Sequence, residues 1–98
     1  MKPFTLVRAS SLAQAARETA RPDAALKAGG VDLLDRMKEG LDSPKTVVSI
    51  AHIPGHDSIE AGPPAKIGAL ATLARIEADP GLQKTYPALA AAAAGAAT

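Results

Sequence analysis

Ala24-Ala25-Leu26-Lys27-Ala28-Gly29-Gly30-Val31-Asp32-Leu33-Leu34 is the stretch on which the reading of this chain turns. Residues 24–28 are apolar apart from one lysine, are too few for a helix, and read as a short strand. The strand runs into Gly29-Gly30, where backbone angles closed to other residues become available. Asp32 is placed to cap a following helix. In that helix Leu33, Leu34, Met37 and Leu41 share one face, while Asp35, Arg36, Lys38 and Glu39 are solvated. Gly40 stands where a C-terminal cap is expected. A strand that enters a helix through two glycines presents several N–H groups without intrahelical partners. Those groups and the helix dipole favour an anion, and the glycines let a phosphate approach the backbone without a Cβ in the way. On pattern alone such a pair most often serves as a tight turn. It is neither the Gly-x-Gly-x-x-Gly of a dinucleotide fingerprint nor the Gly-Lys-Ser/Thr of a P-loop.

Before this stretch, Leu12, Ala15, Ala16 and Thr19 line one face of a helix over residues 11–20, with Ser11 and Gln14 spaced as a capping box. Arg21-Pro22 stops it, since proline disfavours helical geometry in the residue before it. After the stretch, Thr46-Val47-Val48-Ser49-Ile50 is rich in β-branched residues and reads as a strand, which completes a βαβ unit. Turns at Pro54-Gly55 and Gly62-Pro63-Pro64 flank a strand over 58–61, which is expected to pair as a hairpin with one over 66–70. Thr72 caps a short helix carrying Leu73 and Ile76, and Asp79-Pro80 ends it. An alanine-rich helix follows over 87–97. The expected order is α-β-α-β-β-β-α-α.

The chain has 98 residues, the size of one small domain or of part of a larger one. Its hydrophobic fraction is 47%, but alanine supplies half of it, and Phe4 and Tyr86 are the sole aromatic residues. Such a composition offers little large apolar area for a core, so a partner surface or further sequence is expected. Eleven basic and 10 acidic residues, spread along the chain, give a net charge of +1 and no electrostatic footprint for nucleic acid or an anionic membrane. Without cysteine there is no disulfide, iron–sulfur ligation or thiol chemistry, and two histidines are too few for a typical zinc site. Redox chemistry would need an organic cofactor. Met1-Lys2-Pro3-Phe4 lacks the apolar run of a signal peptide, and the alanine block near residue 90 is too short and too weakly lipophilic to span a membrane. A cytoplasmic protein is the expectation.

Other residues that could carry chemistry have simpler roles. His52 and His56 flank Ile53-Pro54-Gly55, whose turn splits their directions, and they read as surface turn residues rather than a metal pair. Asp32 and Asp35 complement the dipole of their helix. Tyr86 is expected to anchor the last helix. There is no Ser/His/Asp or Cys/His arrangement and no acid–base pair, so no catalytic or metal-binding residue is assigned, and the chain is not expected to be active alone.

The stretch Lys27-Ala28-Gly29-Gly30-Val31-Asp32-Leu33-Leu34 resembles the Ala-Gly-Gly-Thr-Asn/Asp-Leu-Leu segment of the FAD-binding subunit of molybdenum hydroxylases, the xanthine dehydrogenase, aldehyde oxidoreductase and carbon monoxide dehydrogenase family. Met1 to Phe4 is similar to the family's opening strand and Val47 to Ile53 to its Val-Asp-Ile segment. Ile67-Gly68-Ala69-Leu70-Ala71-Thr72-Leu73 is similar to its Ile-Gly-Ala-Leu-Thr-Thr-Leu segment. Ile76 to Pro80 and Tyr86 to Leu89 then follow in the family's order, so the resemblance covers essentially the whole chain.

The resemblance implies an α+β fold, the N-terminal subdomain of a PCMH-type FAD-binding domain, with a small mixed sheet and flanking helices over residues 1–98. It implies that Leu26, Lys27, Ala28, Gly29, Gly30, Val31, Asp32 and Leu33 border the FAD pyrophosphate. It also implies an electron-transfer role beside a molybdopterin-binding large subunit and an iron–sulfur small subunit, which hold the molybdenum cofactor and the clusters. Two departures stand against the family pattern. The threonine after the glycine pair is Val31 here, which removes a hydroxyl able to bond a phosphate oxygen. The family's second glycine-rich segment, Thr-x-Gly-Gly-Asn, is not reached by Thr98, so the chain is expected to be a truncated form that holds FAD weakly or not at all by itself. The alternative expectation is a non-catalytic interaction module or remnant that keeps the fold without binding FAD.

Overall fold

The computed structural model describes residues 2–96, the side chain of Val31 excepted. The elements are β1 (Thr5–Arg8), α1 (Leu12–Thr19), β2 (Ala24–Lys27), α2 (Val31–Lys38), β3 (Thr46–Ser49), β4 (Ile59–Glu60), β5 (Lys66–Ile67), α3 (Leu73–Ala78), α4 (Pro80–Thr85) and α5 (Pro87–Ala96). They fall into two compact units, Met1–Pro54 and Gly55–Thr98. Met1, expected in an opening strand, and Ala97, expected as the last helical residue, lie outside the described residues.

In the first unit the sheet has the order β1-β3-β2, with both pairings parallel. Thr46, Val47, Val48 and Ser49 are each flanked on both sides, by Thr5 to Arg8 and by Ala24 to Lys27. Both edges of β3 are therefore paired, and a central strand that is also buried on its faces favours a β-branched run. Val47 and Val48 are wholly buried although they point to opposite faces of the pleat. Val48 packs with Ala9, Ala15 and Ile53, and α1 lies against β2 and β3. In the second unit β4 and β5 form an antiparallel hairpin with Ile59 opposite Ile67, as expected. The three helices pack together around Ile76, the fully buried Leu82 and Ala93. Tyr86 packs on this cluster and its carbonyl accepts from the N–H groups of Leu89 and Ala90, so it anchors the last helix.

Several expectations need correction. The first strand is Thr5–Arg8 rather than residues 1–4, so the order opens on a strand. Pairing starts where the Thr5 N–H donates to the Lys45 carbonyl at 2.8 Å, and Pro3 has no N–H to extend it. Asp32 does not cap α2, because the cap is Gly30, in the left-handed conformation at φ 88°. Its carbonyl already accepts from Leu34 N–H at 2.9 Å, and Asp32 falls inside the first turn. The strand expected over 66–70 stops at Ile67 because Gly68 turns the chain against His56, whose carbonyl accepts from Leu70 N–H at 2.7 Å. Asp79-Pro80 ends α3, as expected, but also starts a further helix, α4. The Asp79 carboxylate accepts from Leu82 N–H at 2.9 Å, and Pro80 takes the first helical position, where its missing N–H costs nothing. At α1 the Ser11 hydroxyl accepts from Gln14 N–H as expected, but the Gln14 amide oxygen returns to Ser10 N–H rather than to Ser11.

Candidate functional site: the turn between β2 and α2

Leu26 and Lys27 are the last residues of β2, paired with Val48 and Ser49. The Lys27 carbonyl accepts from Ile50 N–H at 3.0 Å, which pins the end of the strand to the central strand's exit. Ala28 and Gly29 form a bend, Gly30 caps, and Val31, Asp32 and Leu33 make the first turn of α2. All eight residues expected at the site are therefore brought into one continuous strand–turn–helix segment. Leu26 is 53% exposed, Gly29 and Asp32 are exposed, and Lys27, Ala28, Gly30 and Leu33 are half-buried.

No side chain caps α2. The N–H groups of its first turn have no intrahelical acceptor, so the positive end of the dipole stays open to an anion. The two glycines serve different purposes. Gly30 needs its positive φ, and a Cβ there would lie 2.7 Å from Lys27 Cε and 3.4 Å from Leu34 Cδ1. Gly29 has an ordinary φ, and a Cβ there would meet nothing within 4 Å. Nothing in the fold asks for glycine at position 29. An alanine would fit, and the open space in front of that Cα is where an external group can come up to the backbone. These features fit a diphosphate. Asp32 is the exception, since its exposed carboxylate is not used as a cap.

The stem of Lys27 lying across Gly30 was not legible in the sequence, nor was the support from Ile50 and Leu34. The first depends on one side-chain rotamer, and the second on the parallel register that sets Lys27 beside Ser49. His52 is exposed and His56 half-buried, and among the described residues no group of three or more His, Cys, Asp or Glu gathers as a metal site. On the α1 face, Leu12, Ala15, Ala16, Thr19, Leu26 and Ile50 line an apolar groove, open because alanine side chains are too short to fill it.

A parallel βαβ unit whose strand enters its helix through a glycine turn with no side-chain cap defines a class, the small α/β units that offer backbone N–H groups to an anionic group. The chain belongs to the family described as the FAD binding domain in molybdopterin dehydrogenase, whose model matches residues 2–98. FAD is the cofactor of that family's domain, and its members are oxidoreductase flavoproteins. The chain is similar to a carbon monoxide dehydrogenase from Hydrogenophaga pseudoflava that lacks the Mo-pyranopterin moiety of the molybdenum cofactor. The identity is 31% and the TM-score 0.84, over 95% of this chain and 34% of that one. It is similar to quinoline 2-oxidoreductase from Pseudomonas putida 86 at 28% identity and a TM-score of 0.85, over 96% of this chain and 34% of that one. With the reconstituted carbon monoxide dehydrogenase from Oligotropha carboxidovorans the values are 27% and 0.86, over 95% and 34%. The chain thus spans about a third of the length of these solved chains. No curated protein matches it.

Proposed function

We propose that the chain holds the diphosphate of FAD at the Gly29-Gly30 turn, as part of the electron-transfer flavin subunit of a molybdenum-dependent hydroxylase or dehydrogenase. Leu26, Lys27, Ala28, Gly29, Gly30, Val31, Asp32 and Leu33 border the bound group. The observation that carries the reading is Gly29, a glycine that neither its backbone angle nor its neighbours explain and that a close-lying ligand does. FAD, when bound, supplies reversible electron transfer. The turn's own contribution is to bind and orient. Backbone N–H groups at the start of α2 donate to phosphate oxygens, the glycines admit those oxygens, and the Lys27–Ile50 hydrogen bond keeps the strand end in place. The reading places a molybdopterin-binding subunit and an iron–sulfur subunit beside it as electron donors. The likeness to carbon monoxide dehydrogenase and quinoline 2-oxidoreductase supports that, and it leaves the substrate to those partners.

The test reads weak binding directly. In amide NMR spectra of the chain, adding millimolar FAD is expected to move the N–H resonances of residues 28–33 in a saturable way. Gly29→Val is expected to keep the dispersed spectrum of a folded protein and to lose those shifts. Shifts confined to other residues, or equal shifts in Gly29→Val, would remove the turn from the site.

A further inference from the structure

We infer that the outer edge of β2 is an interface for a second copy of this chain, which pairs with it antiparallel about a two-fold axis and continues the three-stranded sheet from one molecule into the other. The inference does not draw on the diphosphate reading.

The order β1-β3-β2 leaves β2 at an edge. The Asp23 carbonyl accepts from Lys45 N–H and the Lys27 carbonyl from Ile50 N–H, so the backbone groups of Asp23, Ala25 and Lys27 turn inward, towards β3. Backbone groups alternate along a strand, so those of Ala24 and Leu26 turn outward. Among the described residues no strand or turn takes them up. Such an edge is a template for another chain unless proline, a bulge or charge protects it, and β2 holds one charged residue, Lys27, at its end.

Register and charge select the occupant. Outward groups must meet outward groups, and in an antiparallel self-pairing centred on Ala25 they do. Ala24 then faces Leu26 of the second copy, Leu26 faces its Ala24, and both pairs exchange their backbone hydrogen bonds. The same register sets Asp23 opposite Lys27 of the second copy, once at each end. Both charges are available. Lys27 takes part in none of the ion pairs among the described residues, and Asp23 has only a 4.0 Å contact with Lys45, between side chains 61% and 83% exposed. A parallel neighbour would instead set like charges together. The apolar surface agrees with this arrangement. Ala24 and Leu26 lie in register with Thr46 and Val48, on the face that α1 covers. Leu26 is 53% exposed there and borders the groove of Leu12, Ala15, Ala16, Thr19 and Ile50. Across the pair, Leu26 of each copy stands beside the other's Ala24 and diagonal to the other's Leu26, and so closes the open side of both grooves. On the opposite face the axis passes through Ala25, whose methyl lets the strands approach. The edge at β1 is unsuited, because Lys2 and Arg8 bring only positive charge to it and no carboxylate precedes Glu18. An interface in which one patch supplies both complementary halves is the form a two-fold dimer requires.

Sedimentation equilibrium of the full chain from micromolar to millimolar concentration is expected to show a reversible monomer–dimer exchange. Amide hydrogen exchange read by NMR is expected to slow at Ala24 and Leu26 as concentration rises, with Thr46 to Ser49 unchanged. Lys27→Glu turns both attractive pairs into repulsive ones and is expected to weaken the dimer about tenfold. Leu26→Lys puts a charge into the closed groove and is expected to leave a monomer whose dispersed spectrum shows a retained fold. A chain that stays monomeric at millimolar concentration, a dimer that either variant leaves as tight as the wild type, or one that protects amides elsewhere and not those of Ala24 and Leu26 would overturn the inference.

Discussion

Gly29 and Gly30 are adjacent and chemically identical, yet the structure separates their roles. Gly30 is required by the fold, because its left-handed backbone at φ 88° disfavours any side chain, whereas the Lys27 stem beside it is free to move aside. Gly30→Ala is expected to cost about 1–2 kcal/mol in urea denaturation, the penalty for an L-residue in that conformation. Gly29→Ala is expected to leave the midpoint nearly unchanged and to weaken ADP binding, which NMR titration reads. Asp32 supplies a further contrast. As an exposed carboxylate in the first turn it interacts favourably with the dipole but competes with a bound phosphate. Asp32→Asn is therefore expected to lower stability slightly, by about 0.5 kcal/mol, and to tighten ADP binding a few-fold. The glycine pair was legible in the sequence because glycine is informative wherever it occurs. The cap was not, because Asp32 and Gly30 both satisfy the preferences for that position, and a carboxylate two residues into a helix looks the same in sequence as one that begins it.

Among the elements, the ends are set by a few short-range devices. Gly40 follows α2 at φ 76°, with its N–H donated to Met37 and that of Leu41 to Arg36, the paired bonds of a Schellman motif. The next residue, Asp42, returns to the helix through Arg36, whose Nε lies 2.5 Å from one carboxylate oxygen. The hydrogen bond from Arg36, reinforced by its charge, holds the Asp42 carboxyl below its ordinary range. A carboxylate whose folded-state value is lowered stabilises the fold above its unfolded-state value and loses that contribution as pH falls through the lowered one. Carboxyl NMR is expected to show Asp42 titrating below an unpaired aspartate, and high salt is expected to shrink the difference because the pair is exposed. At the other junction, Asp79→Ala removes the acceptor that starts α4 and is expected to cost about 1 kcal/mol in thermal or urea unfolding. That junction shows why one helix was missed. Asp-Pro is read as a stop because proline cannot continue a helix, but aspartate followed by proline is also a favoured way to begin one. The hairpin, the cap at Thr72 and the central strand were legible, since each depends on local residue types. The first strand was not, for three of its four residues are exposed and its partner lies far along the chain.

For the molecule as a whole, alanine governs how much each large side chain matters. Ala9, Ala15, Ala90 and Ala93 take up places in the core, and Leu82, Val47 and Val48 are the largest side chains that are fully buried. Leu82→Ala is expected to cost about 3 kcal/mol, a large share of the stability of a small domain, and to lower the urea midpoint accordingly. The order β1-β3-β2 has a further consequence, in time rather than in space. Both outer strands of the sheet are synthesised before the strand that joins them, and neither pairs with the other. A nascent chain that has not yet released Thr46 to Ser49 from the ribosome holds the residues of α1 and α2 but no sheet for them to pack on, and helices this short do not stand without one. The glycine turn, anchored through Ile50, takes its shape only after that strand has docked.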